Sequence, residues 1–269
     1  MRPAVRSALL ACVLSIAVSA TAAAHEPSGT AAVKGGIPVR LGGCFLTAAF
    51  VPRPESVLQS GFRDPLDIDT TFYGPDPLLG IWAMSCDRSR VGGRRAGKLV
   101  LSLVGVPLGL TNADALPFAN NFAHRLIRID TSSRRLATAA RRAGLPARHA
   151  PRARYRHSRR GAVPSEGRLS VPGRYAVGVS ASVPDPTNPH EHANLFEHRR
   201  YGRSATLTLS IANAFDRFCF PANAACSASV RAPRGSTLAR LLGGRSATAR
   251  AAFDHDKLAR VDIQLRRGR

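Results

Sequence analysis

Lys98–Val106 reads K-L-V-L-S-L-V-G-V, Asn121–Asp130 reads N-F-A-H-R-L-I-R-I-D, and Leu136–Ala147 reads L-A-T-A-A-R-R-A-G-L-P-A. In the first segment Leu99, Leu101 and Leu103 alternate with Val100, Val104 and Val106, so both faces are apolar and a central strand buried on both sides is predicted. The second alternates Phe122, His124, Leu126 and Arg128 with Ala123, Arg125, Ile127 and Ile129, and each face mixes apolar residues with a base. From Ser132 the period changes to that of a helix, because Leu136, Ala139, Ala140 and Ala143 fall at i, i+3, i+4 and i+7. Thr131 or Ser132 is placed to cap the first turn, Arg141 and Arg142 suit the C-terminal end of the helix dipole, and Gly144 with Pro146 stops it.

Upstream, Arg2 and Arg6 precede an uncharged run from Ser7 to Ala24 that ends in Ala22-Ala23-Ala24, the pattern of a secretory signal peptide cleaved after Ala24. No later stretch reaches the roughly 20 apolar residues of a membrane span, so a secreted or cell-surface location is expected. His25–Arg40 is rich in Gly, Ala and Pro without a period and reads as a flexible linker. Leu41–Arg269 then reads as a single β-rich domain. Of five cysteines, Cys12 falls in the leader and Cys44, Cys86, Cys219 and Cys226 remain, an even number that argues for two disulfides in an exported chain. Three pairings are possible; the short C-F-P-A-N-A-A-C spacing favours Cys219–Cys226 and leaves Cys44–Cys86.

The formal net charge is +22, with 39 Lys and Arg against 17 Asp and Glu, and Lys34, Lys98 and Lys257 are the only lysines. An exported chain of this charge is expected to associate with anionic envelope polymers, lipid head groups or acidic polysaccharide. With 6% aromatics there is no interleaved stacking platform, and nucleic acid is the weaker expectation.

Cys44–Val51 (C-F-L-T-A-A-F-V) reads as a strand, Pro54–Gln59 as one helical turn, Leu66–Asp69 as a short strand in a Pro/Gly/Asp-rich loop, and Leu78–Cys86 (L-L-G-I-W-A-M-S-C) as another apolar strand. Trp82 and Met84 share a face, either as core filling or as the wall of an apolar pocket. The succession of C-F-L-T-A-A-F-V, P-E-S-V-L, L-L-G-I-W-A-M-S-C-D and a strand ending I-D-T before L-A-T-A-A-R-R-A-G-L-P-A resembles the acetoacetate decarboxylase family over Cys44–Ala147. The resemblance implies an α+β, mainly antiparallel β fold: a closed or cone-like β-barrel around an internal cavity, with a few peripheral helices.

The family's chemistry does not follow. Those enzymes form a Schiff base on a lysine whose pKa is lowered by a neighbouring lysine. Here Gly144, Leu145 and Pro146 stand where the lysine pair would follow the helix, and Arg95 or Ala96 where an acidic residue would precede the central strand. Lys98, the one lysine of the matching half, sits at an exposed strand start.

In the second half Arg148–Arg160 is a basic insertion carrying Arg148, Arg152, Arg154, Arg156, Arg159, Arg160, His149 and His157, read either as an anion-binding patch or as a solvated loop. Strands are expected at Glu166–Val171, Arg174–Val183, Ser204–Ile211, Cys226–Arg231 and Ala259–Leu265, and a short helix at Ser236–Leu242. Pro184–Arg203 reads as a long surface loop. Its His190, His192 and His198 form an alternative divalent-metal set, although the spacing matches no zinc signature. No phosphate loop, G-x-S-x-G elbow or catalytic-cysteine context is present, and no cofactor is implied.

The resulting expectation is a secreted, non-catalytic barrel lined by Trp82, Met84, Phe122, His124 and Arg125 that takes a small amphipathic acid or lipid. A buried arginine calls for an anion, either the ligand or an internal carboxylate such as Glu166. The alternative is an enzyme of the same fold, a lyase or metal-assisted hydrolase, that uses groups other than a Schiff-base lysine.

Overall fold

The computed structural model of the protein describes residues 36–66, 68, 77–108, 121–159, 165–181, 190–200, 203–214, 216–219, 226–249, 251–258 and 260–268. The chain divides into Met1–Ala31 and Ala32–Arg269, and all described residues belong to the second unit. In chain order the elements are β1 (Ile37–Pro52), α1 (Glu55–Gln59), β2 (Leu78–Val91), β3 (Arg94–Arg95), β4 (Leu99–Leu108), β5 (Asn121–Thr131) and α2 (Arg134–Arg142). There follow β6 (Ala147–His149), β7 (Arg154–Arg159), β8 (Ser165–Val171), β9 (Tyr175–Ala181), β10 (His190–Arg200), β11 (Arg203–Ala214) and β12 (Asp216–Cys219). The last are β13 (Cys226–Arg231), α3 (Thr237–Leu241), β14 (Ser246–Thr248), β15 (Ala251–Leu258) and β16 (Val261–Arg267).

Seven strands close on themselves in the order β1-β16-β11-β10-β5-β4-β2 and back to β1, with β12, β15, β3 and β6 as additions at the margins. Strands that alternate in direction cannot do so all the way round a ring of odd number. One pair must run parallel, and it is β5 with β10; the other six pairs are antiparallel. The fold is therefore the mainly antiparallel closed barrel that the sequence implies.

The inner faces of the seven strands make one core, including Leu41, Leu46, Phe50, Met84, Leu101, Leu103, Phe196, Leu209 and Ile263. Helix α2 adds Leu136, Ala139, Ala140 and Ala143 to the same core, which is the stripe its 3.6-residue period predicts. Its N-cap is Ser133, whose Oγ accepts from Leu136 N, one residue beyond the two caps expected from the sequence.

A separate five-stranded antiparallel sheet, β14-β13-β9-β8-β7, covers the outside of β1, β2 and β4. Ala49, Val51, Leu79, Ile81, Val100, Val104 and Val106 from the barrel meet Leu169, Val171, Val177, Val179, Ala228 and Val230, with Leu238 and Leu241 of α3. β2 and β4 are thus sandwiched between two cores, which is why their sequences are apolar on both faces.

Into this second core the fold drives a charge. Asp130, its side chain fully buried, accepts from Arg174 of the β8–β9 turn, lies 2.9 Å from Arg128 Nε, and accepts from the Tyr175 hydroxyl at 3.0 Å. The Arg128 guanidinium lies 4.9 Å from the centre of the Tyr175 ring. Burial, and then the Asp130 charge, push the Tyr175 phenol well above its ordinary range, so it remains a hydrogen-bond donor. This carboxylate ties β5 of the barrel to the outer sheet.

Four expectations need correction. Ile37–Arg40, read as linker, belongs to β1 and pairs with Asp262–Leu265 of β16. The basic insertion is not a loop: β6 pairs parallel to β5, and β7 is the edge strand of the second sheet. Much of the presumed loop 184–203 is β10, which begins directly after the last of three prolines, Pro189. Finally, strict alternation along β5 fails. A register shift against β4 makes Ile127 an extra residue, so Ile129 turns inward with Leu126 while Arg128 and Asp130 turn out toward Tyr175. Gly105 is the residue opposite this bulge, where a Cβ would come within 2.9 Å of Arg125 O. Phe122, His190, His192, Cys219 and Cys226 have described backbone only; their side chains, and with them the Cys219–Cys226 pairing, lie outside the described residues.

Candidate functional site

Trp82 stands on the inner face of β2, and its ring lies over Gly80, where a Cβ would sit only 2.3 Å from the indole. No larger residue can occupy that position while the indole stays where it is. Around the indole are Phe50 from β1 at 5.2 Å between ring centres, His124 from β5 at 4.5 Å and Phe196 from β10 at 4.9 Å. His124 also stacks on Phe196 at 4.7 Å. Met84, on the same face of β2, is buried in the same core.

Within this aromatic box His124 Nε2–H donates to Asn194 Oδ1 at 2.9 Å, and both residues are buried. The amide oxygen can only accept, so the bond places a proton on Nε2. The pair spans the parallel seam: His124 is the register partner of Phe196, and Asn194 that of Phe122. A polar pair in an apolar enclosure fixes orientation, as ligand sites do, while the rings supply area.

Of the residues expected to line this interior, Trp82, Met84 and His124 come together. Arg125 does not. As the neighbour of His124 along a strand it points to the opposite, outer face, beside its register partner Glu197. It is only 5% exposed; burial lowers its pKa, while Glu197 and Asp64 raise it and Arg199 lowers it further. The proposed partner Glu166 is elsewhere, paired with Arg168 at 3.1 Å on the second sheet. Asn194, Phe196 and Phe50 complete the box and were not foreseen. For the first two the available signal was the alternation Asn194, Phe196, His198 after the prolines.

Lys98 forms an exposed pair with Asp87, 3.6 Å apart, and is an ordinary surface lysine. His192 and His198 are six residues apart on one extended strand, about 20 Å, too far to share an ion. Among the described residues no group of three His, Cys, Asp or Glu is placed to hold a metal. Cys44 and Cys86, opposite each other on β1 and β2, form a disulfide.

His198 shares the face of Phe196, and its Nδ1–H donates to Leu126 O at 3.2 Å. Burial holds its imidazole below the usual range; the Leu126 carbonyl offsets this in part, and Arg200 and Arg125 add to the lowering. The unfolded chain therefore binds a proton near pH 6.5 that the folded chain refuses, and stability is lost as the pH falls through about 6.5 and below. Urea midpoints at pH 7.5 and 5.5 should differ more for the native chain than for His198→Gln; equal differences would remove His198 as the cause.

A closed mixed barrel with a capping helix and a laminated second sheet places the chain in the acetoacetate decarboxylase-like fold. It aligns with the solved structure of acetoacetate decarboxylase at a TM-score of 0.52 and 11% identity, over 85% of this chain and 86% of that one. It is also similar to the enduracididine biosynthesis enzyme MppR in complex with the condensation product of pyruvate and imidazole 4-carboxaldehyde (TM-score 0.49, 12% identity, 87% and 88% coverage). An acetoacetate decarboxylase-like enzyme from Sphingomonas wittichii RW1 gives a TM-score of 0.48 at 6% identity, with 87% and 92% coverage. At these identities the likeness is one of fold. No family model matches the chain, and no curated protein matches it.

Proposed function

We propose that the protein is an exported, non-catalytic binding protein of the acetoacetate decarboxylase-like fold, whose barrel interior takes a small amphipathic acid or lipid. The observation that carries this reading is the box of Phe50, Trp82 and Phe196 around the His124–Asn194 pair. Its rings suit an alkyl chain. The Asn194 amide N–H is the donor to meet a carboxylate, and His124, bonded to the amide oxygen, holds it in place. Because these rings are packed on one another, ligand entry requires them to part. Lys98, the one lysine whose side chain is described, is exposed and lies outside this interior, which supports a role other than Schiff-base turnover.

Trp82 is the only tryptophan, so intrinsic fluorescence reports the box directly. Titration of the purified mature chain with decanoate should give a saturable change in emission, weakened about tenfold by Asn194→Leu through loss of the polar contact. No saturable change at millimolar decanoate would defeat the reading. So would a borohydride-trapped adduct with a keto acid, which would instead establish an amine-dependent enzyme.

A further inference from the structure

The second sheet has an outward face that the barrel reading leaves unused, and its register can be followed strand by strand. One row across it is Thr248, Ser229, Gly178, Arg168 and Arg156. The next is Ser246, Arg231, Ala176, Ser170 and Arg154. A third holds Ser227, Ser180, Glu166 and Ser158. These positions alternate with the buried Val177, Val179, Leu169, Ala228 and Val230, so their side chains face solvent.

The face has a low floor and basic margins. Ala176, Gly178 and Ser180 form the middle of the sheet on β9, Arg154, Arg156 and Arg168 rise on one side, and Arg231 rises on the other. Three strand spacings separate Arg154 from Arg231, about 14 Å, enough for one polymer chain to lie between them. At one end the face deepens into an open cleft of about 580 Å³ lined by Ser170, Arg174, Ala176, Arg231, Arg245 and Ser246.

Arg156 and Arg168 are directly opposed on adjacent strands, an arrangement of like charges that costs stability when no anion lies between them. Among the described residues of this face Glu166 is the only acid, and Arg168 engages it. No aromatic or large apolar side chain stands on the described face, so it lacks the stacking platform of a nucleic-acid strand and the wedge of a membrane-inserting surface. What it offers are guanidinium forks for carboxylates and a lattice of hydroxyls for sugar hydroxyl groups.

We infer that this outer face of the second sheet, from Arg154 and Arg156 across Gly178 to Arg231 and the adjoining cleft, binds an extended acidic polysaccharide. The inference stands apart from the barrel interior, and neither test bears on the other. Polygalacturonate, with dextran as the neutral control, is the probe for the full mature chain. Binding at about 0.15 M ionic strength should weaken as salt is raised. The triple variant Arg154→Gln, Arg156→Gln, Arg231→Gln should bind about tenfold more weakly while melting at an unchanged or higher temperature. The matched variant Arg90→Gln, Arg134→Gln, Arg142→Gln removes the same charge from other exposed positions and should bind like the native chain. Equal loss in both variants would show that net charge, not this face, is responsible, and absence of native binding would end the proposal. Tighter capture of duplex DNA or anionic vesicles, lost in the first variant alone, would overturn the assignment to polysaccharide.

Discussion

Replacing Asp130 with alanine is expected to destabilise the protein by about 3 to 5 kcal/mol, measured as a fall in the chemical-denaturation midpoint. The carboxylate is fully buried, pairs with Arg128 and Arg174, and accepts from Tyr175. Its removal leaves the Arg128 guanidinium, whose side chain is 15% exposed, without its anion. The Tyr175 hydroxyl, in a residue 4% exposed, likewise loses its acceptor. Arg174 is 29% exposed and can recover water, which places the cost toward the lower end of that range. Tyr175→Phe deletes the hydrogen bond to Asp130 and should cost about 1 kcal/mol. A loss under 1 kcal/mol for Asp130→Ala would mean that this carboxylate does not hold the second sheet to the barrel.

The double variant Cys44→Ala, Cys86→Ala is the second large effect. The disulfide closes a separation of 42 residues between directly opposed positions on β1 and β2. In the chain-entropy treatment a loop of that length is worth about 4 kcal/mol, felt through the unfolded state. Both sulfurs are buried in the barrel core, so their loss also leaves space behind. The native chain under a strong reductant should approach the double variant in stability. If reductant and variant both leave the midpoint unchanged, the bridge contributes nothing to the fold.

How much of this could be read from residues alone follows from where each signal lies. The runs at 78–86 and 98–106 were legible as buried strands because each is covered on both faces, and α2 because its stripe repeats at helical spacing. β10 was not. Its inward residues include Asn194 and His198, and an asparagine becomes a core residue only when His124, 70 positions away, supplies its hydrogen bond. The box was half legible: Trp82 and Met84 share a face by local alternation, but Phe50 and Phe196 join them only through register between distant strands. Arg125 was misplaced because buried charge was weighed above the parity of the strand, which puts neighbours His124 and Arg125 on opposite sides. The missing lysine pair could be read outright, since absence of a residue type needs no geometry.

The ring order also sets the order of assembly. β1 is stitched to β16, residue 37 to residue 265, and the parallel seam joins β5 to β10 only after the chain has travelled through β6 to β9. A ribosome or translocon delivering the chain from its N-terminus therefore presents β2, β4 and β5 as a hairpin meander long before its partners exist. Closure waits for the final strand. Contacts of such long sequence separation form slowly, so the open meander, with the inner edge of β5 unpaired, is the species most exposed to aggregation during folding.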